Sequence, residues 1–334
     1  MRLNESIIGN SPALAKALQH LSHLAQINRP ILVLGERGTG KELAAQRLHF
    51  LSARWQSPLV KVNCAALADN LLESELFGHE AGSFTGATRA HRGRFERADG
   101  GTLFLDELGT MSMRLQEKLL RLVEYGEFER LGGQETLQVD VRIIGATNTD
   151  LRQQVANNHF RADLLDRLSF DIVHLPALRH RQDDIAELAQ HFAMQLCAEL
   201  GWELFAGFTD EAMDALQRYS WPGNVRELKN AVERSLFRWD NPQSPVAAVI
   251  IDPFLSPFEE LQPTEPDAAD KGIVSMEPKA PDFQAHIQHV EVALLRKALA
   301  SNGYNQRRAA VELGLSYDQM RGLVRKYTLS EPAV

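Results

Sequence analysis

The stretch ILVLGERGTGKELAAQRL, from Ile31 to Leu48, decides the fold class of this 334-residue chain. Its apolar start, Ile31 to Leu34, has the length of a buried strand, and the residues after Lys41 carry apolar side chains at helical spacing. The glycines between them allow backbone N–H groups to curve around phosphate oxygens, and Lys41 can reach the β and γ phosphates. The stretch predicts a strand, a phosphate-binding loop and a helix, in that order.

The predicted phosphate-binding residues form one continuous loop. They are Gly35, Glu36, Arg37, Gly38, Thr39, Gly40, Lys41 and Glu42. A glycine turn with a solvated lysine would give the same bare string, but the flanking strand and helix favour the loop. Glu42 stands where many such loops carry the Ser or Thr that ligates Mg²⁺, which argues against metal ligation by this side chain.

Four further apolar runs have the length of strands and alternate with helical patterns. They are Leu59 to Asn63, Thr102 to Leu105, Arg142 to Ala146 and Asp171 to Leu175. Strand and helix in alternation predict an α/β fold with a parallel sheet that helices cover on both faces. After Pro176 the strand signals stop, and the remaining patterns are helical.

Composition divides the chain into four parts. We expect an α/β nucleotide-binding subdomain at 1–175, a helical subdomain at 176–251, a linker at 252–281 and a small all-α domain at 282–334. Six prolines among acidic and small residues leave the linker too little apolar surface to fold alone.

Composition also limits the classes of protein that fit. No run approaches the roughly 20 apolar residues that span a bilayer, so we expect no membrane insertion and a cytoplasmic, nucleoid-associated location. Cys64 and Cys197 are too few and too far apart for a disulfide framework or a zinc site. A net charge of −8 excludes a surface that is basic throughout, but it allows a local basic patch.

A second candidate site follows the apolar run Thr102 to Leu105, which ends in Asp106 and Glu107. Ligands of open α/β sheets bind at the carboxyl ends of strands, so Asp106 is placed to hold Mg²⁺, directly or through water, and Glu107 to polarise the attacking water. Thr147 and Asn148 end another strand and could contact the γ-phosphate, although an ordinary strand-end turn also explains them. Together these residues predict an ATPase.

Five strings, in this order, resemble the AAA+ domain of bacterial enhancer-binding proteins that activate sigma-54 RNA polymerase. They are LGERGTGKE, ELFGHEAGSFTGA, GGTLFLDE, FRADLLDRL and WPGNVRELKN, and the likeness covers residues 7–237. The resemblance implies an AAA+ P-loop ATPase with a helical lid, ATP and Mg²⁺ as cofactors, and the sigma-54 RNA polymerase holoenzyme as partner. It also implies a homo-oligomeric ring, usually a hexamer.

The resemblance gives a role to the loop Gly82, Ser83, Phe84, Thr85, Gly86 and Ala87. In the family this loop touches sigma-54, and Phe84 and Thr85 match its contact residues. Ser83 replaces the usual alanine, a small-for-small change. A glycine-rich loop whose Phe84 folds back onto its own core is the alternative.

Other roles are also implied by the resemblance alone. Asn63 matches the residue that holds the catalytic glutamate in one nucleotide state, Arg161 and Arg167 match arginines that reach a neighbouring subunit's γ-phosphate, Arg226 matches the second sensor arginine, and Ile7, Ile8 and Gly9 match the segment around the adenine. A capping asparagine and solvated surface arginines are the competing interpretations.

The stretch NQRRAAVELGLSYDQMRGLVRKY, from Asn305 to Tyr327, has helix-turn-helix spacing and a basic surplus. The residues predicted to meet DNA are Asn305, Gln306, Arg307, Arg308, Ser316, Tyr317, Asp318, Gln319, Arg321, Arg325 and Lys326. The stretch resembles a Fis-type module, in which the preceding helix, here 283–299, helps dimerisation, and this implies binding to enhancer DNA. An ordinary helical hairpin is the alternative.

The sequence therefore predicts an ATP-driven activator of sigma-54 transcription. Two alternatives stay open: an AAA+ remodelling enzyme with a different protein target, and a DNA-binding regulator whose ATPase is inactive. Because no receiver or sensor domain precedes the ATPase, we expect control by a separate inhibitor protein.

Overall fold

The computed structural model describes residues 7–84, 86–253, 291–292, 294–299, 301–302 and 305–327. The chain folds as two units, 1–256 and 257–334. The linker predicted at 252–281 and the start of the predicted dimerisation helix lie almost wholly outside the described residues.

A five-stranded parallel sheet forms the centre of the first unit. Its strands are β1 (Ile31–Leu34), β2 (Leu59–Asn63), β3 (Thr102–Asp106), β6 (Arg142–Thr147) and β7 (Asp171–His174), in the spatial order β2-β3-β6-β1-β7. All four strand pairings are parallel. The predicted α/β class and its parallel sheet are confirmed.

Seven helices accompany the sheet. They are α1 (Pro12–Ala25), α2 (Lys41–Phe50), α3 (Asp69–Phe77), α4 (Arg94–Arg97), α5 (Met113–Tyr125), α6 (Leu151–Ala156) and α7 (Ala162–Leu168). Side chains alternate between the two faces of a strand, so one strand feeds two cores. In β6, Ile143 packs with α3, α5 and α7, whereas Ile144 packs with α1 and α2 on the opposite face.

A two-stranded antiparallel hairpin, β4 (Glu127–Glu129) and β5 (Thr136–Gln138), follows α5 and was not predicted from the sequence. Strands of three residues are too short for an alternating pattern to be recognised. Phe128 is the buried residue of β4, and it packs against Phe77 and Phe95 with ring centroids 6.0 and 6.2 Å apart. The hairpin is thereby anchored in the core.

Three helices form the second part of this unit: α8 (Asp184–Leu200), α9 (Asp210–Arg218) and α10 (Asn224–Trp239). They pack around Trp221, which is fully buried and donates its indole N–H to the carbonyl oxygen of Leu216 at 2.7 Å. The sequence predicted a helical subdomain after the last strand, and this prediction is confirmed for the fold.

The second unit contains α11 (Gln306–Glu312) and α12 (Tyr317–Lys326), with residues 291–292 and 294–299 also helical. Ala309 and Ala310 from α11 pack against Met320 and Val324 from α12. Among the described residues, no helix combines the length and the apolar character that crossing a membrane requires.

A buried arginine ties the sheet to α1. Arg142, at the start of β6, is 3% exposed and donates to the carbonyl oxygens of Leu24, Ala25 and Arg29 at 2.8, 3.1 and 3.4 Å. Burial, with Arg54 as a lesser cause, lowers the pKa of Arg142 to about 10. The guanidinium thus gives the carbonyl oxygen of Ala25, the last residue of α1, a donor that the helix itself does not supply.

We expect Arg142→Met to lower the free energy of unfolding of the first unit by about 3 kcal/mol, because it leaves the buried carbonyl oxygen of Ala25 without a donor and removes the hydrogen bonds to Leu24 and Arg29. Urea denaturation followed by tryptophan fluorescence measures this, since Trp55, Trp202, Trp221 and Trp239 all lie in that unit. The exposed Arg152 on α6 is the control, and Arg152→Met should change stability by less than about 0.5 kcal/mol. Equal effects of the two substitutions would contradict the capping role.

Candidate nucleotide, partner and DNA sites

The carboxyl ends of the central strands bring the predicted catalytic residues to one edge of the sheet. Asn63 at the end of β2 pairs in register with Asp106 at the end of β3, and Leu34 at the end of β1 pairs with Thr147 at the end of β6. The phosphate-binding loop begins directly after Leu34. Since both faces of the sheet are covered, this edge is the place where a ligand can meet all of these groups.

The predicted phosphate-binding loop leads into α2, which begins at Lys41 after Gly40 with φ +100°. The Lys41 ammonium donates to the carbonyl oxygens of Gly35 and Glu36 at 3.0 and 3.2 Å. Burial lowers the pKa of Lys41, while the neighbouring Glu107 and Asp106 oppose that shift. A cationic side chain beside the open N-terminus of a helix fits the phosphate groups of a nucleotide.

Asp106 and Glu107 lie next to each other and differ in environment. The backbone N–H of Glu107 donates to Oδ1 of Asp106 at 3.0 Å, and Nε of Arg37 lies 4.0 Å from Oε1 of Glu107. Glu107 has φ +53°, a strained conformation for a residue with a Cβ, and such strain is concentrated at functional sites. Carboxylate oxygens are the ligands that Mg²⁺ prefers, so this pair fits a magnesium nucleotide.

The remaining strand-end residues have mixed arrangements. Asn63 accepts the backbone N–H of Ala65 at 2.9 Å through its own Oδ1, an Asx turn after β2, whereas the N-cap of α3 is Ala68. Thr147 is fully buried, and its hydroxyl accepts the backbone N–H of Thr149 at 3.1 Å. Asn148 follows it and is exposed at the sheet edge.

The side chain of Glu36 turns from the loop towards the helical subdomain. Its carboxylate accepts two hydrogen bonds from Arg179, at 2.5 and 2.9 Å, and one from Asn224 Nδ2 at 3.0 Å. The hydrogen bonds from Arg179 and then Asn224 lower the pKa of Glu36 to about 2. Of the loop residues predicted to bind phosphate, Glu36 therefore offers its backbone, while its carboxylate is already engaged.

The sequence did not single out Arg179 or Asn224. Asn224 lies within the motif WPGNVRELKN, but no pattern in the sequence indicates a role for it. Its left-handed backbone conformation, with φ +54°, is visible only in the structure. Arg226, two residues further on, is exposed beside the loop, and its charge helps to lower the pKa of Lys41. The predicted sensor arginine thus lies at the phosphate-binding loop.

The segment Ile7 to Gly9, predicted to surround the adenine, lies against the helical subdomain. Ile8 packs onto the core around Trp221. Asp184, which is 1% exposed, accepts the backbone N–H groups of Asn10 and Ser11, both at 2.8 Å, and the Ser11 hydroxyl at 2.7 Å. This buried carboxylate fixes the segment to the start of α8, and it too was missed in the sequence.

Arg161 and Arg167 bracket α7 on the surface. Arg161 donates two hydrogen bonds to the carboxylate of Asp163, at 3.0 and 2.8 Å, in a bidentate ion pair. Arg167 donates one to the carboxylate of Glu124 at 2.5 Å. Their side chains are 32% and 57% exposed, so another subunit could reach them. Their present partners match the interpretation as surface arginines.

The GSFTGA loop presents its aromatic residue at the surface. Phe84 is 43% exposed, and its ring contacts His79 edge-on at 4.9 Å between centroids. Gly82 and Gly86 have φ of +83° and +105°, which favours glycine at both positions, and Ala87 is buried. Thr85 lies outside the described residues. An exposed aromatic ring between two hinges of this kind is suited to a protein contact.

One arginine of the β4–β5 hairpin holds the base of this loop. Arg130 donates to Glu80, just before the loop, at 2.7 Å, and to Glu96 in α4, beyond the loop, at 2.9 and 2.6 Å. Hydrogen bonds to Glu96 and then Glu80 raise the pKa of Arg130. A Cβ on Gly132 of the hairpin would meet the Ser83 Cβ at 2.7 Å, so the hairpin and the loop also touch directly.

The predicted DNA-contact residues in the second unit fall into two groups, those whose side chains cap helices and those whose side chains stay free of that task. Asn305 accepts the backbone N–H groups of Arg307 and Arg308, while Ser316 and Gln319 cap the start of α12 reciprocally. These three side chains are committed to helix ends. Exposed side chains at Arg308, Asp318, Arg321, Arg325 and Lys326 remain on the surface, with Gln306 half-buried and Arg307 over the Tyr317 ring at 5.2 Å.

Comparison with known proteins gives a consistent family. Residues 7–174 match the Sigma-54 interaction domain, residues 179–246 the AAA+ ATPase lid domain, and residues 287–327 the Bacterial regulatory protein, Fis family. The chain is 52% identical to the Psp operon transcriptional activator of Escherichia coli (strain K12), covering 97% of this chain and 98% of that protein. It is 53% identical to the Nif-specific regulatory protein of Klebsiella pneumoniae over 69% of this chain but only 44% of that protein.

A solved structure of NtrX from Brucella abortus in complex with ATP is similar over 97% of this chain and 70% of that chain, with 31% identity and a TM-score of 0.70. The combination of a sigma-54 interaction domain, a lid and a Fis-type domain accounts for the fold and for the order of the motifs. This chain belongs to the family of sigma-54-dependent transcription activators, with an AAA+ ATPase domain and a DNA-binding helix-turn-helix domain.

Proposed function

We propose that the chain hydrolyses magnesium-bound ATP between the subunits of a ring, usually a hexamer, and uses the GSFTGA loop to remodel the sigma-54 RNA polymerase holoenzyme. The observation that carries this proposal is the meeting of Lys41, Asp106 and Glu107 at one sheet edge, in a chain that also exposes Phe84. The nucleotide site, the acidic pair and the GSFTGA loop would then act together in one ATPase.

The hydrolytic step assigns different tasks to neighbouring groups. Lys41 would leave its carbonyl partners to hold the β and γ phosphates, and Glu107 would orient and polarise the attacking water. Asp106 would hold Mg²⁺, which supplies charge neutralisation at the phosphates. Thr147 and Asn148 would contact the γ-phosphate or the water, and Asn63 would restrain Glu107 after breaking its present hydrogen bond with Ala65.

The ring supplies the remaining charge. Arg161, the residue before α7, and Arg167, in its last turn, would exchange their present carboxylate partners for the γ-phosphate bound by the next subunit. Positive charge placed where negative charge develops is a large catalytic contribution. Arg226 would report the nucleotide to the helical subdomain, and Ile7 to Gly9 would enclose the adenine.

The outer parts of the proposal concern DNA and control. We propose the domain limits 1–175, 176–251, 252–281 and 282–334, with the last domain tethering the ring to enhancer DNA near its promoters. Likeness to the Psp operon transcriptional activator supports psp genes as targets. We further propose an inhibitor resembling phage shock protein A and a cytoplasmic, nucleoid-associated location. The match to the sigma-54 interaction domain argues against the alternative of an AAA+ remodelling enzyme with a different protein target.

We expect Lys41→Ala to lower ATP turnover by at least about a hundredfold, because it removes a fixed positive charge from the phosphates. Phosphate release at saturating ATP measures turnover, and nucleotide binding by calorimetry separates affinity from rate. Lys16→Ala, at an exposed lysine of α1, should leave both unchanged. Normal turnover by Lys41→Ala would eliminate this loop as the ATP site.

Thr85→Ala should leave ATP hydrolysis within about twofold of the original rate and abolish activated transcription, because this residue belongs to the partner loop and not to the sheet edge. In vitro transcription from a sigma-54 promoter with ATP measures activation. The matched control is Thr88→Ala, which removes the same hydroxyl three residues along and should keep activation. If Thr85→Ala lost both activities together, the proposed division of labour would be wrong.

Removal of the chain from Asp282 onward should keep ATP hydrolysis and weaken activation that depends on enhancer DNA, since the core of the second unit is separate from that of the first. The loss should be offset by a high concentration of the shortened protein, because tethering acts by raising local concentration. A collapse of ATP hydrolysis instead would refute the proposed domain limits.

A further inference from the structure

The contact between the phosphate-binding loop and the helical subdomain is unusually close. A Cβ on Gly38 would lie 2.2 Å from the carbonyl oxygen of Gly223, so only glycine allows the two backbones to approach in this way. The backbone N–H of Val225, in the first turn of α10, donates to the carbonyl oxygen of Gly38 at 3.1 Å. The start of α10 therefore rests directly on the loop.

Side chains reinforce this contact through Glu36. Its carboxylate accepts one hydrogen bond each from Nη1 and Nη2 of Arg179 and one from Nδ2 of Asn224. Asn224 is fully buried, also donates to the carbonyl oxygen of Arg37 at 3.0 Å, and accepts the backbone N–H of Leu178 at 2.8 Å. Asn224, at the start of α10, thus hydrogen-bonds both to the phosphate-binding loop and to Leu178, in the segment before α8.

Glu36 is also joined to the phosphate-binding lysine. The carbonyl oxygen of Glu36 accepts from the Lys41 ammonium at 3.2 Å and from the Thr39 hydroxyl at 2.9 Å. A phosphate that draws Lys41 away takes a donor from the backbone of Glu36, while the carboxylate of the same residue holds the lid. A change at the nucleotide site therefore acts on the same residue that makes the contact with the helical subdomain.

We propose that Glu36 is a positioning residue that clasps the helical subdomain to the phosphate-binding loop through Arg179 and Asn224 and transmits nucleotide occupancy to the start of α10. The inference rests on the ATP site proposed above. Its consequence is that Arg226, in the first turn of α10, reaches the nucleotide only while this clasp is closed.

The direct test is amide hydrogen exchange of the full chain, with and without ADP, in wild type and Glu36→Gln. We expect ADP to slow exchange at residues 222–228 in wild type, and this slowing to be at least about fivefold smaller in Glu36→Gln, the lower range of typical coupling between sites. The amide keeps the shape of the side chain while removing its charge. Identical ADP-dependent slowing in both proteins would overturn the proposal.

Steady-state kinetics separates positioning from mere support of the fold. Glu36→Gln and Arg179→Gln should each raise the KM for ATP about five- to tenfold, and the double variant should be no worse than either single variant, because both break one link. Asp214→Asn is the matched control, since it neutralises a carboxylate in an exposed ion pair with Arg218 on α9 and should leave the KM unchanged. Additive effects, or a lower melting temperature with an unchanged KM, would also overturn the proposal.

The two levels of inference fail in different ways. Loss of the ATP site would appear as normal ATP turnover in Lys41→Ala, whatever happens at Glu36. Loss of the clasp alone would appear as normal ADP-dependent exchange in Glu36→Gln beside a Lys41→Ala variant that no longer hydrolyses ATP.

Discussion

Access to the sheet is the constraint on which the site depends. Helices cover both faces of the parallel sheet, so its backbone is sealed and the polar groups that follow the strands are confined to one edge. Lys41 at the start of α2, Asp106 at the end of β3 and Thr147 at the end of β6 all lie at this edge. A change at this edge can therefore reach other parts of the chain only through side chains that extend from the edge to other segments.

Two charged contacts join segments of the first unit that are distant in sequence. Glu36 extends from the phosphate-binding loop to the helical subdomain, and Arg130 extends from the β4–β5 hairpin to both sides of the partner loop. In each case a carboxylate and a guanidinium form paired hydrogen bonds, a geometry that fixes orientation as well as distance. Such links suit a molecule in which a small change at a phosphate must move distant segments together.

The sequence predicted the parts of the structure that local patterns determine. The five central strands follow short apolar runs, and the phosphate-binding loop lies within one continuous stretch, so their positions could be predicted. Contacts between distant residues could not: Arg142 caps a helix more than a hundred residues away, and Asp184 holds the segment around Ser11. The β4–β5 hairpin was missed because its strands are too short to show a period. The roles taken from family likeness, such as those of Arg161 and Arg167, depend on a second subunit.

The helix caps in the second unit limit how its DNA preference can evolve. Asn305, Ser316 and Gln319 each complete the hydrogen bonding of a helix end, so replacing them would threaten the fold of the domain itself. Exposed positions such as Arg321 and Arg325 carry no such duty within the domain's core. Drift in operator preference among descendants of this protein should therefore concentrate at those exposed positions, leaving the scaffold that presents them intact.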